Sequence, residues 1–379
     1  MTNMTIGIVL PYLKSRGTEK QALRLARGFV KRGAEVVLFV VQGWGLQSMY
    51  RAFEEAGVEV VDVGSPLDKG KKSVSLNRLF KLAHLVHKYR CTVLLSRAGM
   101  TNKIAGLAGR LAFVPTVAVL SGAVKNKQFS TNPLKGWLSS LRAATSLGFP
   151  WRIVSVSREG AENFIYSNPL LTKRVIAIPN GIDMPEVGKF SVDLALDANK
   201  FYFCYSGSLE IERKGLDLLL GALGLVVKEY GYDQVTLLLI GAGEDEGQIK
   251  AMVEAEKLSG CVLFAGEQSE PFALMTKCQA FVLPSRKEGF PNALLEAMAL
   301  GLCVIATDCD TGPREIITHE KDGLLVHLED KKRLAEVMAR VYRDHGLRQA
   351  LAQQAKKTVQ EKFSCEKMID TYFTLLSRV

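Results

Sequence analysis

Short apolar runs alternate with amphipathic helical segments along the chain, and this alternation occurs twice. Such a pattern is typical of a parallel sheet covered by helices. In the first half it predicts a helix at Thr18–Arg32 and strands at Thr5–Leu10, Glu35–Val41, Thr92–Ser96, Thr116–Leu120, Arg152–Ser157 and Val175–Ile178. The pattern begins again after Pro179-Asn180-Gly181, a turn sequence at which a first domain would end.

The second half carries its own set of elements. Strands are predicted at Phe201–Tyr205, Val235–Ile240, Val262–Phe264, Ala280–Leu283 and Val304–Thr307, and helices at Gly215–Lys228, Leu294–Ala299, Lys331–Asp344 and Leu347–Phe363. A chain of 379 residues is also long enough for two domains. We therefore predict an α/β protein with two Rossmann-like parallel-sheet domains facing a cleft. Residues 1–182 form the first and 183–365 the second, and residues 366–379 cross back to the first.

Charge is distributed unevenly along the chain. Residues 1–180 contain 26 basic and 9 acidic side chains, whereas the rest contains 23 and 30. A basic half indicates an anionic partner. Nucleic acid is not predicted, because no aromatic residues interleave with the charge and no helix-turn-helix or zinc pattern is present. An anionic membrane is favoured, since each basic residue near such a surface contributes about 1 kcal/mol; a solvated basic face is the alternative.

One amphipathic segment bears on the membrane hypothesis. Leu134, Trp137, Leu138 and Leu141 recur at helical spacing beside Lys135 and Arg142. Contact with a membrane interface and packing on a sheet explain this stripe equally well. The apolar runs are too short for a signal peptide or a membrane span, and the seven cysteines are scattered without a C-x-x-C pair. We expect a cytoplasmic protein, peripherally associated with the inner face of the cytoplasmic membrane.

The sharpest candidate site is the segment from Glu288 to Glu296, which reads E-G-F-P-N-A-L-L-E. A strand leads into this loop, and Pro291 is predicted at the first position of the following helix. The unpaired N–H groups of a helix N-terminus bind phosphate. At about 1.5 Å per helical residue, the two glutamates are separated by roughly the length of a diphosphate linkage. This spacing favours a nucleotide sugar, with one acid for each sugar; two surface glutamates are the alternative.

A second candidate is Arg213-Lys214-Gly215, which is predicted to open a helix. Adjacent cations at a helix start are unfavourable unless an anion binds there, because the helix dipole prefers negative charge at that end. We therefore expect these two side chains to contact phosphate.

Two further motifs are weaker. Gly241-Ala242-Gly243 departs from the dinucleotide-binding fingerprint, since Gly247 lies one place late and the run Glu244–Glu246 would repel a pyrophosphate. A turn that lets a nucleotide base lie against the backbone is the better interpretation. Asp308-Cys309-Asp310 follows the last strands of the second half, where a metal-binding D-x-D is not expected. No metal and no cofactor are predicted.

Taken in order, these segments resemble the retaining, GT-B-fold glycosyltransferases often called group 1 or family 4. The resemblance runs through Gly17-Thr18-Glu19, Ile178 to Asp183, Gly207 to Gly215, Gly241 to Gly243, Phe264-Ala265-Gly266, Glu288 to Glu296 and Thr307 to Ile316. The stretch from Glu288 to Ile316 most resembles members that add N-acetylgalactosamine or related hexoses to undecaprenyl-linked oligosaccharides or lipopolysaccharide. The resemblance thus implies a nucleotide-diphosphate sugar donor, with UDP expected, and a lipid-linked or lipopolysaccharide acceptor.

The resemblance also implies roles. Glu288 would bind a donor-sugar hydroxyl, Glu296 would bind the ribose, and Arg213 and Lys214 would stabilise the leaving diphosphate without a metal. The wider donor site would comprise Gly17, Gly207, Gly241, Gly243, Gly266, Gly289, Phe290, Pro291, Asn292, Ala293 and Glu296. The acceptor side would comprise Ser121, Gly122 and Lys125. The acceptor's proton would pass to the leaving phosphate on the same face, so that the anomeric configuration is retained.

Three positions depart from the pattern of the family. The second glycine of the usual N-terminal pair is missing, and Arg16 precedes Gly17. Ser208 replaces a frequent arginine and shifts its role to Arg213, and Ser121 replaces a histidine. Other functions have sequence requirements of their own. A Rossmann-type oxidoreductase or sugar-nucleotide epimerase would need an acidic residue after the second strand, where Val41-Gln42-Gly43 stands. An inverting enzyme would need a base in the first domain, which is not evident, and a non-catalytic nucleotide-sugar binding module is the remaining alternative.

Overall fold

The computed structural model describes residues 4–14, 17–64, 75–122, 133–185, 194, 196–268 and 271–378, without the side chains of residues 100 and 133–135. The chain divides into two compact units. Unit 1 comprises Met1–Gly181 and Cys365–Val379, and unit 2 comprises Ile182–Ser364. Each unit is built around one parallel sheet, so the predicted α/β fold with two sheets is confirmed.

Unit 1 contains a seven-stranded sheet in the order β3-β2-β1-β4-β5-β6-β7. The strands are β1 (Thr5–Leu10), β2 (Glu35–Val40), β3 (Glu59–Asp62), β4 (Val93–Arg97), β5 (Thr116–Leu120), β6 (Arg152–Ser155) and β7 (Val175–Ala177). The helices are α1 (Gly17–Lys31), α2 (Gln47–Glu54), α3 (Leu76–Lys88), α4 (Gly99–Leu111), α5 (Pro133–Ser146) and α6 (Arg158–Ser167), followed by a 3₁₀ helix at Pro169–Arg174.

The central strand of unit 1 shows why this half folds as a covered parallel sheet. All six residues of β1 are buried, which requires apolar cover on both faces. Gly7 lies where a Cβ atom would be 2.5 Å from Leu94 Cδ2 and 3.0 Å from Phe39 Cε2. The missing side chain at Gly7 therefore gives its neighbours on β2 and β4 the room to pack.

Unit 2 contains a six-stranded sheet in the order β10-β9-β8-β11-β12-β13. Its strands are β8 (Phe201–Ser206), β9 (Val235–Ile240), β10 (Val262–Gly266), β11 (Ala280–Leu283), β12 (Cys303–Thr307) and β13 (Leu324–Val326). Its helices are α7 (Ile211–Lys214), α8 (Leu216–Lys228), α9 (Glu246–Ala255), α10 (Phe272–Met275), α11 (Asn292–Ala299), α12 (Pro313–Ile316), α13 (Lys331–Arg343) and α14 (His345–Lys362).

The main core of unit 2 forms where α8 and α13 pack together over the sheet. Helix α8 is apolar on nearly every side, and Leu219, Leu223 and Val226 are completely buried. A helix with this pattern needs apolar neighbours around most of its surface. It therefore fixes the position of the loop that precedes it, which carries the cations predicted from the sequence.

The last helix, α15 (Cys365–Leu376), returns to unit 1 and packs against α1. A Cβ atom at Gly28 would lie 2.4 Å from Ile369 Cδ1, so the absence of a side chain lets the helices approach closely. The Arg32 guanidinium donates to Asp370 at 2.5 Å and to Glu366 at 2.8 Å. The prediction that the C-terminal helix crosses back to the first domain is confirmed.

Several elements were not predicted, among them α2, β3, α9 and β13. The strands β3 and β13 have only four and three residues and lie at sheet edges, where the apolar pattern is shortest. None of the helices in the described part of the chain has the length and apolar character of a membrane span.

Candidate active site

The candidate site of unit 2 lies at the carboxyl edge of its sheet. Strand β8 pairs with β9 on one side and with β11 on the other, so the strand order reverses direction there. In open α/β sheets, ligands bind outside the carboxyl ends of the strands at such a switch point. The loop after β8 leads to Arg213 and Lys214, and the loop after β11 carries Glu288.

The centre of the site is a buried ion pair between these two loops. Lys214 Nζ lies 2.5 Å from Glu288 Oε1, and the two side chains are only 13% and 9% exposed. Ser285 Oγ donates to the same carboxylate oxygen at 2.7 Å, and Thr311 Oγ1 donates to the Glu288 carbonyl oxygen. The carboxylate is thereby fixed in one orientation beside the ammonium group.

Arg213 forms a second, more exposed ion pair. Its guanidinium donates to both carboxylate oxygens of Glu210, at 2.8 and 2.7 Å, and to Ser208 Oγ at 3.1 Å. The hydrogen bonds from Arg213 lower the pKa of Glu210 to about 2. Those bonds also raise the pKa of Arg213 above its ordinary value, so this side chain carries a permanent positive charge. Arg213 thus lies against Ser208, and the shift of role from position 208 to Arg213 stays a prediction.

The backbone around the two cations differs from the prediction. Arg213 and Lys214 end the four-residue helix α7, and α8 begins only at Leu216, after Gly215. The prediction that they open a helix was wrong. The reason is Gly215, whose φ of +66° turns the chain between the two helices. At the end of α7 the helix dipole favours positive charge, so the two cations are well placed there without a bound anion.

Helix α11 presents its first turn beside this cluster. Pro291 occupies the N-cap position, and the helix begins at Asn292; the prediction of Pro291 at the first helical position was wrong by one residue. The N-cap residue Pro291 makes no side-chain cap hydrogen bond, and Asn292 and Ala293 are partly exposed. Helix N-termini in general bind anions through their first N–H groups. Glu296 lies farther along α11 and is 8% exposed.

The glycines after β8 and β9 pack against each other's backbone. A Cβ atom at Gly241 would lie 1.9 Å from Gly207 O, and one at Gly243 would lie 2.2 Å from Leu209 O. Close packing of the two loops thus accounts for Gly241 and Gly243. The acidic run that follows also has a structural role, because Asp245 Oδ2 accepts from Ile211 N at 2.7 Å and so caps the start of α7.

Comparison with known proteins identifies the family. The sequence family described as Glycosyltransferase Family 4 matches residues 15–185, and the family described as Glycosyl transferases group 1 matches residues 188–358. The two matches are consecutive and cover nearly the whole chain. The chain belongs to the group 1, family 4 glycosyltransferases.

Two relatives of this glycosyltransferase have names that refer to an undecaprenyl-linked acceptor and to the lipopolysaccharide core. The N,N'-diacetylbacillosaminyl-diphospho-undecaprenol alpha-1,3-N-acetylgalactosaminyltransferase of Campylobacter jejuni is 29% identical, over 74% of this chain and 76% of the relative. The lipopolysaccharide core biosynthesis glycosyltransferase LpsE of Rhizobium meliloti is 24% identical, over 96% of each chain. Among solved structures, Anabaena HepE in complex with UDP and glucose superposes with a TM-score of 0.79 at 20% identity, over 100% of both chains. This likeness confirms the predicted GT-B fold.

The predicted donor-side residues fall into two groups in the glycosyltransferase. Most of them lie at the carboxyl edge of the sheet in unit 2, including Gly266, which ends β10 and whose carbonyl oxygen accepts from Gly241 N at 2.8 Å. Phe290 is buried against Phe363, and Gly289 is buried in the same loop. Gly17 belongs instead to unit 1, where it starts α1.

The predicted acceptor residues belong to unit 1. Ser121 and Gly122 follow β5 and are partly or fully exposed. Lys125 lies outside the described residues. The assignment of these three residues to the acceptor stays a prediction.

The candidate metal motif is engaged in a different contact. Arg314 Nε donates to Asp308 Oδ1 at 2.7 Å, which neutralises that carboxylate. Within the described ranges, no cluster of three His, Cys, Asp or Glu side chains is placed to hold a metal ion.

Sequence reasoning missed the residues that hold the glycosyltransferase site together. Ser285 and Thr311 fix Glu288, Glu210 pairs with Arg213, and Arg286 contacts the backbone of α7. Their residue types are common in loops and carry no spacing signal. Only Ser285 and Arg286 could have been suspected from the sequence, because they lie three and two places before Glu288.

Proposed function

We propose that this glycosyltransferase moves a hexose or N-acetylhexosamine from a UDP-sugar to a lipid-linked oligosaccharide or lipopolysaccharide acceptor, with retention of the anomeric configuration. The observation that carries the proposal is the Lys214–Glu288 ion pair at the switch point, next to the first turn of α11. UDP as the nucleotide is supported by the fold shared with HepE, which was solved with UDP and glucose. The acceptor class is supported by the names of the Campylobacter and Rhizobium relatives.

The site offers two kinds of positive potential to a diphosphate. Arg213 and Lys214 supply full charges, and the N–H groups of the first turn of α11 supply partial charges. Charge placed where the leaving diphosphate forms is the largest catalytic term in many enzymes. We propose that these groups neutralise the leaving group without a metal ion.

The contacts of Glu288 support retention. Its Oε1 accepts from Lys214 and Ser285, which holds the carboxylate in place to orient a sugar hydroxyl rather than to remove the acceptor's proton. In the proposed step the bond from C1 to the leaving phosphate breaks and a bond from C1 to the acceptor oxygen forms on the same face. The acceptor's proton passes to the leaving phosphate oxygen.

Release of UDP tests the proposal. Thermal shifts with UDP, GDP and ADP first establish the base, and UDP-glucose, UDP-galactose and their N-acetyl forms are then assayed with lipid-linked and lipopolysaccharide acceptors. We expect acceptor-dependent UDP release that falls by about 100-fold or more in Glu288→Gln, a typical loss for a group aligned with the reacting atoms. Glu256→Gln removes an exposed glutamate of the same unit and serves as the control. Stabilisation by UDP without any turnover would identify a non-catalytic binding module instead.

We further propose that the protein docks on an anionic membrane at the cytoplasmic face. The docking surface, called the α5 patch, consists of Trp137, Leu138 and Leu141 on α5 and Leu170 on the 3₁₀ helix. These side chains are 39–61% exposed. The two segments are joined, because Leu170 N donates to Ser140 Oγ at 3.3 Å.

Charge supports an anionic lipid as the occupant of the α5 patch. Arg142 on α5 and Lys173 on the 3₁₀ helix are both exposed. Exposed tryptophan and leucine beside basic residues are typical of interfacial membrane contacts. We expect Trp137→Ser with Leu141→Ser to reduce sedimentation with vesicles containing phosphatidylglycerol, and binding to fall with salt. Leu328→Ser, an exposed leucine in the acidic half, is the matched control. Equal binding to neutral and anionic vesicles would contradict the proposal.

A further inference from the structure

Helix α7 carries both cations of the site but has only four residues, Ile211–Lys214. A single turn is not stable by itself, because nucleating a helix costs more than one turn of hydrogen bonds returns. Its start is capped by Asp245. Gly215 N donates to the Ile211 carbonyl oxygen at 2.8 Å, but the later carbonyl groups of α7 need a partner from outside the helix.

Arg286 supplies that partner from the loop after β11. Its Nη1 donates to the carbonyl oxygens of Ile211 and Glu212 at 3.3 and 3.2 Å. Its backbone N–H donates to the Arg213 carbonyl oxygen at 3.0 Å. One residue therefore contacts the carbonyl groups of the first three residues of α7, and its positive charge also suits the C-terminal end of the helix dipole.

The Arg286 guanidinium is itself held by two carboxylates. It donates to both oxygens of Asp217 in the first turn of α8, at 2.8 and 2.7 Å, and to both oxygens of Glu329, at 2.5 and 3.0 Å. These contacts involve Nε and both terminal nitrogens, so all three guanidinium nitrogens donate to acceptors within the protein. Burial raises the pKa of Asp217, but the bonds from Arg286 outweigh it and leave that pKa below its ordinary value.

We propose that Arg286 is a positioning residue that sets where Arg213 and Lys214 meet the diphosphate. The residue stands one place after Ser285 and two places before Glu288, so a single loop places the acid and the helix that bears the cations. Lysine cannot replace it, because one ammonium group cannot bridge two carboxylates and two carbonyl groups in a fixed plane. The inference rests on the proposed function, in which these cations bind the diphosphate.

The test measures the Kd of UDP by calorimetry for Arg286→Leu and Arg286→Lys, together with thermal unfolding. We expect UDP binding to weaken by at least about tenfold in Arg286→Leu and by a smaller factor in Arg286→Lys, since displaced cations lose charge-assisted contacts. The matched control is Arg340→Leu, because Arg340 donates to both oxygens of Glu320 at 2.5 and 3.0 Å in the same unit, away from α7. The Arg340→Leu variant should bind UDP with the affinity of the wild type.

A double-variant cycle separates positioning from general destabilisation. In a Lys214→Ala background, the substitution Arg286→Leu should weaken UDP binding by a smaller factor than in the wild type, because one of the groups it positions is already absent. Equal factors in both backgrounds, or wild-type affinity in Arg286→Leu, would overturn the inference. Should Arg286→Leu not fold, Arg286→Lys carries the same cycle. If Lys214→Ala itself binds UDP like the wild type, it is the proposed function that fails.

Discussion

The Lys214–Glu288 ion pair gives the sharpest test of how the site is built. Both side chains are largely buried, at 13% and 9% exposure, and their charged atoms are 2.5 Å apart. Removing one partner of a buried pair leaves an uncompensated charge and costs about 3–5 kcal/mol, whereas removing both is nearly neutral. Because Glu288 keeps its bond from Ser285, we expect Lys214→Met to cost about 3 kcal/mol, at the lower end of that range.

The assay is scanning calorimetry of Lys214→Met, Glu288→Gln and the double variant. For a domain of this length, about 1 kcal/mol corresponds to roughly 2–4 °C in Tm, so Lys214→Met should lower the transition of unit 2 by about 6–12 °C. The double variant should recover to within about 1 kcal/mol of the wild type while remaining inactive in UDP release. Stability and activity would thus be separated in one set of proteins.

The exposed pair Lys228–Glu256 is the matched control. Its side chains are 50% and 51% exposed, so Lys228→Met should cost less than about 1 kcal/mol. The prediction is refuted if Lys214→Met lowers the free energy of unfolding no more than Lys228→Met does. It is also refuted if the double variant loses as much stability as the two single variants lose together.

Two further predictions concern the loop that bears the cations. Gly215→Ala should destabilise the protein more than Gly231→Ala by at least about 1 kcal/mol. Both glycines have φ near +67°, but of the two only Gly215 would bring its new Cβ atom against a carbonyl oxygen, that of Pro284 at 2.1 Å. Equal losses of stability in urea unfolding would contradict this prediction. Glu210 has a pKa lowered from 4.5 to about 2 by Arg213, so its pair stabilises the fold above pH 4.5 and loses that effect as the pH falls toward 2. The stability difference between wild type and Glu210→Gln should accordingly shrink as the pH drops below 4.5, and a difference that is constant down to pH 3 would show that the ion pair contributes nothing.

The two sheets and the start of α11 could be predicted from the sequence. Short apolar runs and patterns of period 3.6 report burial within a few neighbouring residues, which is why strands such as Thr5–Leu10 and Val235–Ile240 were predicted with the bounds they have. The E-x7-E segment was recognisable for the same reason, since its acids, proline and helix are all local. The local signal failed at α7, where a left-handed Gly215 separates two helices that the apolar pattern had merged.

Which of these segments come into contact follows only from the three-dimensional fold. Lys214 and Glu288 are 74 residues apart, and they pair because β8 lies beside β11 in a sheet whose order does not follow the chain. The same applies to Arg286, which contacts Asp217 and Glu329 at separations of 69 and 43 residues. Strand order depends on how whole faces of apolar surface are buried together, a non-local quantity. The sequence around a charged loop residue does not indicate which distant residue it contacts.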